Sequence, residues 1–186
     1  VLKNGLYSFT KSESTITTDG ASIPGGPWMG SIIAAISGSS KEKSATLDLN
    51  GNKLTVDTGY NATVGIAGIG SGKVEINNAG AMSVNGERAA LYANGGGMIT
   101  IHNGHDSAGT LTLRAGSSNP RNVAVVKTMN GADGVTSSIT IDGLVDILAD
   151  AKAEDGHGAN EAVSAVASDI NLSLIHISEP TRHSLI

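Results

Sequence analysis

The side chains able to do chemistry are few, and they gather in two short stretches. His102, His105 and Asp106 lie in HNGHD. Two imidazoles and a carboxylate so close could ligate a metal, or supply a general base with its orienting partner. Asp142, Asp146 and Asp150, followed by Glu154, Asp155 and His157, form the most acidic part of the chain. Oxygen ligands at close range suit calcium. The same acids beside Arg88, Arg114 or Arg121 could grip an acidic sugar. Other features look like motifs without the context a motif needs. NGADG (Asn130 to Gly134) resembles a calcium loop, but it occurs once and reads as a turn. Gly95 to Gly97 precede a strand rather than a helix, so they are no phosphate cradle. Ser is common, yet no nucleophile elbow accompanies it. Trp28 and Tyr92 could stack on sugars; as lone aromatics they read as packing.

These groups act together only if the fold brings them together, and the fold is written in a repeat. A short strand with two inward apolar residues, then Asn, Asp or His, then Gly, recurs as LDLNG, VEINNAG, ITIHNG and ITIDG. Their first apolar positions are 47, 74, 99 and 139, spaced by 27, 25 and 40 residues. A second strand follows each: KLTVDTG, AMSVNG, TLTLRAG and LVDILAD. A third, weaker strand precedes each pair: GSIIAAIS, TVGIAGI, AALYAN and NVAVVKT. A fifth copy starts at EAVSAVAS (Glu161 to Ser168). Each strand alternates apolar and polar residues, the period of a half-buried strand. Three short strands per turn of chain describe one coil of a parallel β-helix, whose inner face is buried only when coils stack.

The predicted fold is therefore all-β, a right-handed parallel β-helix or β-solenoid. Residues 1–31 form an N-terminal coil or partial rung, and 32–171 the stacked repeats. Leu47, Leu49, Val74, Ile76, Ile99, Ile101, Ile139 and Ile141 point inward; Asp48, Glu75, Thr100 and Thr140 point outward. Met82/Val84, Leu111/Leu113 and Val145/Ile147 stack on the next face. Asn50, Asn77, His102 and Asp142 are expected to stack at one corner, where Asn and Asp tolerate left-handed backbone. Asn103 to Gly109, Gly116 to Arg121 and Asn130 to Ser137 leave the solenoid as loops. His102 and Asp142 thus become corner residues and Asp146 a solvated strand position. No catalytic, cofactor-binding or metal-ligating residue is assigned, and no cofactor is expected.

Composition agrees. Of 186 residues, 25 are Gly and only 3% are aromatic, so a wide core cannot be filled, whereas a narrow repeated one can. A β-sandwich would call for larger core residues and hairpin turns. Net charge is -5 and no Lys/Arg cluster occurs, which disfavours nucleic acid as a partner. Cysteine is absent, excluding disulfides and thiolate metal sites. No apolar run is long enough to span a membrane as a helix. The chain opens at Val1 without Met or a signal peptide and reads as a segment of a longer protein.

Residues 172–186 break style with everything before them: Gly vanishes, while His, Pro and Arg appear together. LSLIHISEPTR resembles the in-frame translation of a transposase-type sequencing adapter. The expectation is a non-native tail that does not continue the solenoid as a proper capped coil beyond about Asn171.

The succession TVDTG, GKVEINN, AALYANGGGMITIHNG, TLTLRAG, SSITIDGLVDILADA and GANEAVSAVA resembles the passenger region of bacterial autotransporter-type surface proteins, with a pectin-lyase-like right-handed β-helix. The resemblance covers about Ile32 to Ile170. It implies a secreted passenger on the outer-membrane surface that acts by binding or display, as an adhesin does, with no catalysis. Its partner would be a protein or glycan on a host or bacterial surface. The membrane β-barrel and secretion signal of such proteins lie outside these residues. The alternatives on the same fold are a polysaccharide lyase or hydrolase and a phage tail-spike segment.

Overall fold

The computed structural model describes residues 2–17, 22–24, 31–40, 43–58, 64–102, 110–118, 123–132, 134–149, 156 and 158–178. Among them there is no helix, and so none that could cross a membrane. Seventeen strands build six rungs. The first rung holds β1 (Leu2–Lys3), β2 (Gly5–Ser8) and β3 (Glu13–Ile16). The second holds β4 (Ser22–Pro24), β5 (Ser31–Gly38), β6 (Ala45–Asp48) and β7 (Lys53–Asp57). The third is β8 (Val64–Ile69), β9 (Lys73–Asn77) and β10 (Met82–Gly86). The fourth is β11 (Ala89–Asn94), β12 (Met98–His102) and β13 (Leu111–Ala115). The fifth is β14 (Ala124–Met129) and β15 (Ser138–Leu148). The sixth is β16 (Glu161–Val166) and β17 (Asp169–Ser178).

Among the described residues adjacent rungs pair in parallel, and only β4 runs antiparallel, against β5. The protein is a parallel β-solenoid. Its first face stacks β2, β6, β9, β12 and the first halves of β15 and β17. Its second stacks β3, β7, β10, β13 and the second halves of β15 and β17. Its third stacks β1, β5, β8, β11, β14 and β16. Six rungs about 4.8 Å apart span roughly 24 Å from the first to the last.

The alternation decides what is inside. Val74 and Ile76 stack under Ile99 and Ile101, which stack under Ile139 and Ile141. Met82 and Val84 stack under Leu111 and Leu113, which stack under Val145 and Ile147. All twelve are buried in one continuous core. Leu47 and Leu49 are buried as well, but the register of this rung is two residues from the one expected. Leu47 pairs with Ile76, and Ala45 with Val74. The inward pair of β6 is therefore Ala45 and Leu47, and a single methyl at Ala45 is a weak signal beside Leu49.

The third face departs from the alternation. Every residue of β8 and β11 is buried. Ile36, Ile66, Leu91 and Val126 share one column and belong to the interior core. Ala34, Val64, Ala67, Ile69, Ala89 and Tyr92 form a second, separate cluster. This face is thus buried on both sides, which explains why VGIAGI and AALYAN read as unbroken small-apolar runs.

Corners are made by residues with positive φ. Asn50 (φ 49°) leads into Gly51 (φ 76°), and Asn78 (φ 51°) follows one rung on. At the corner between the third and first faces, Gly95 and Gly96 (φ 62° and 79°) stack on Gly70 and Ser71. Gly97 is required for another reason: a Cβ there would sit inside the Gly68 carbonyl of the rung below.

Strand pairing runs on past Asn171, into the segment expected not to form a proper capped coil. β17 pairs with β15 through Ser178. The physical reason is plain in the residues: NLSLIHIS alternates polar and apolar side chains, and any such segment fits the next rung whatever its origin.

Candidate functional site

The most ordered polar feature is the corner between the first and second faces. Asp48 Oδ1 accepts from the Asn78 side-chain amide and from the Asn50 backbone N–H, each at 3.0 Å. These two donors, Asn78 first, hold the exposed Asp48 carboxyl below the usual aspartate range. Asn50 Nδ2 donates to Ser8 Oγ and to the Phe9 carbonyl, both at 3.1 Å, and Asn52 Nδ2 reaches the same carbonyl at 2.9 Å. Three rungs are stitched together by side chains that backbone pairing leaves available at a turn. Beside this corner a recess of about 230 Å³ lies over Leu6, Tyr7, Ser8, Thr46 and Asp48. It is smaller than the clefts that enclose small-molecule ligands.

The expected column of Asn50, Asn77, His102 and Asp142 is corrected at one member. Asp48, not Asn50, is the partner of Asn77. Asn50 lies beyond the strand, in the turn, because the register is set by Ala45 and Leu47. His102 and Asp142 are partners as expected, at the ends of β12 and the first half of β15. His102 is exposed. Asp142 occupies a β-bulge: Ile141 pairs with Leu172 and Leu144 with Leu174, so Asp142 and Gly143 together oppose Ser173. Ser173 Oγ accepts from the Gly143 N–H at 2.7 Å and lies 3.5 Å from Asp142 Oδ1.

Asp146 stands beyond the bulge on the second face, in register with Thr112. It continues an outward hydroxyl row of Thr15, Thr55, Ser83 and Thr112. Arg114 points out of the same face two residues along the neighbouring strand, diagonal to Asp146. The fold therefore brings Asp146 near Arg114 and His102 beside Asp142, and sets these two pairs on different faces. Arg88 sits between β10 and β11, 4.0 Å from Glu87. Asn85 stands between Asp57 and Arg114 on the second face. Its Oδ1 is buried and, among the described residues, has no hydrogen-bond partner.

Several sequence candidates lie outside the described residues: His105, Asp106, Arg121, Asp150, Glu154, Asp155, His157 and Trp28. Among the described residues no three His, Asp or Glu side chains are grouped to hold a metal. Asp133 of NGADG lies outside the described residues; on either side of it Ala132 and Val135 exchange reciprocal backbone hydrogen bonds at 3.0 and 2.9 Å. Tyr92 is packed, not presented: it is fully buried, and its hydroxyl approaches the Met129 sulfur at 3.7 Å. Burial raises its pKa above the ordinary phenol value, opposed by the Asn94 side chain. The Asp48–Asn50–Asn78 network could not be read from the sequence, since it depends on the turn angles of two rungs at once.

Compared with protein-family models, curated proteins and solved structures, the chain matches none. What stands is the class of protein: a parallel β-solenoid with two strands, β8 and β11, buried throughout and a polar, side-chain-bonded corner.

Proposed function

We propose that the chain is part of a secreted bacterial surface protein, an autotransporter-type passenger. It works by contact, presenting segments to a protein or glycan on a host or bacterial surface. The observation that carries this reading is where the strands are joined. Segments 17–30 (which includes β4), 58–63, 87–88, 116–123 and 149–160 connect the second face to the third, while 103–110 and 130–137, eight residues each, leave at the other two corners. The corner from the third face to the first is turned by 70–72 and 95–97 in the central rungs. A rigid ladder that carries connections of unequal length at its corners holds them at fixed heights, the arrangement in which binding residues usually sit. The family resemblance supports the surface location.

The test is a pair of assays on this chain and on the full-length protein containing it. Binding to cells, matrix proteins or immobilised glycans, with no turnover of acidic or neutral polysaccharides, is the expected result. Turnover that disappears in Asp142→Ala or Asp146→Ala, without any binding, would replace this reading with a polysaccharide-cleaving enzyme.

A further inference from the structure

One reactive dipeptide recurs along the chain in different settings. Asn is followed by Gly at 4–5, 50–51, 85–86, 94–95 and 130–131; a further pair, 103–104, lies outside the described residues. Such a pair can react with itself. The glycine backbone nitrogen, once its proton passes to a base in solution, attacks the preceding Asn Cγ. The N–Cγ bond forms, the Cγ–Nδ2 bond breaks, and ammonia leaves. Water then opens the five-membered imide to aspartate or isoaspartate. Glycine suits the attack because it has no Cβ to block the approach. A glycine N–H that is hydrogen-bonded, or an asparagine side chain that is fixed, must wait for the structure to open locally.

The fold treats the five described pairs differently. Gly5, Gly51 and Gly95 donate their N–H to the Ser44, Asn78 and Asn130 carbonyls at 2.8, 2.7 and 2.9 Å. Asn50 is held further by its side chain, which donates to Ser8 and Phe9. Asn94 is only 7% exposed, and its side chain is hydrogen-bonded to Tyr92. Asn85 and Gly86 lie within β10, in register with Arg114 and Ala115, and Asn85 Oδ1 is buried. At 130–131 these restraints are lifted. Both residues are exposed, and among the described residues the Gly131 N–H has no acceptor.

We propose that Asn130–Gly131 is a self-modification site, the first of the five described pairs to deamidate in the folded chain. The reaction places a negative charge, and in the isoaspartate form an extra backbone carbon, where residues 130–137 leave the solenoid. It needs no enzyme and does not depend on what the surface binds.

The experiment incubates the folded 186-residue chain at mildly alkaline pH and follows each pair by peptide mapping, with isoaspartate identified by enzymatic methylation. Asn130 should convert at least about tenfold faster than Asn50, the ratio that one retained hydrogen bond at Gly51 would produce. In concentrated urea the five pairs should converge to within a few-fold, because only the chemistry of the dipeptide then remains. Asn130→Gln should remove the first product formed and leave the rates at the other four pairs unchanged. Conversion of Asn4, Asn50, Asn85 or Asn94 ahead of Asn130 in the folded chain overturns the proposal. So does an unchanged set of ratios in urea, which would make the selectivity a property of local sequence and not of the fold.

Discussion

Replacing Ile101 by Ala tests the stacked core at its centre. Ile101 is fully buried, with Ile76 in the rung below and Ile141 in the rung above. Removing three carbons loses about 2.4 kcal/mol of transfer free energy, at ~0.8 kcal/mol per buried carbon. The cavity adds to this, because the neighbours are held by backbone ladders on both sides and cannot collapse inward. The total expected is about 4 kcal/mol, in the upper half of the range for such truncations. Thr100 is the control: it is the adjacent residue, pointing outward between Glu75 and Thr140. Thr100→Ala should change stability by no more than about 0.5 kcal/mol. Urea unfolding followed by far-UV circular dichroism measures both. The loss at Ile101 should also split the column into less cooperative halves, seen as a smaller denaturant slope, since each rung is stabilised chiefly by its neighbours. An Ile101→Ala variant within about 1 kcal/mol of the parent, or a Thr100→Ala variant equally damaged, would refute the reasoning.

Other perturbations reach different parts of the structure. Gly97→Ala should cost at least about 2 kcal/mol in the same unfolding assay, because backbone rather than a flexible side chain occupies the space its methyl needs. Asp48 should titrate below an ordinary aspartate in a carboxyl-detected NMR series, and Asn78→Ala should move it upward. Since its folded pKa is depressed, the stability it contributes is present above the unfolded value and is lost as pH falls through the folded one. Tyr92 should ionise later than an exposed tyrosine in an ultraviolet alkaline titration. Its folded pKa is raised, so stability is intact below the ordinary phenol pKa and declines as pH rises through the folded value.

The ladders of the first two faces were legible because β-branched and long aliphatic residues alternate with Thr, Asp, Glu and Ser there. ITIHNG and ITIDG align by eye, and Ile99 and Ile139 are partners. The register of LDLNG was misread because Ala45 is a small inward residue and Leu49, just past the strand, is an equally buried large one. The double burial of β8 and β11 was hidden for a related reason. Gly and Ala carry little hydrophobic signal, and the period-2 pattern vanishes when both sides of a sheet are covered. The candidate site was legible only in part. The pairing of His102 with Asp142 followed from the repeat, whereas the bulge at Asp142 and Gly143 did not, since it arises from one extra residue relative to the rung above. The start of the last rung at Glu161 was legible from the repeat, but the unusual composition after Asn171 argued against its continuation.

The account stands on rungs stacked in parallel register, and a spin-label ruler measures that most directly. The chain has no cysteine, so labels go only where they are introduced. Leu6, Thr46, Glu75, Thr100, Thr140 and Asn171 occupy one outward column, one residue per rung. With one label kept at Asn171, electron–electron distances to Thr100, Glu75, Thr46 and Leu6 should lengthen in that order by about 4.8 Å each, reaching roughly 24 Å at Leu6. Distances that fail to follow the rung order, or that bring Leu6 closer to Asn171 than Thr100 is, would contradict the solenoid.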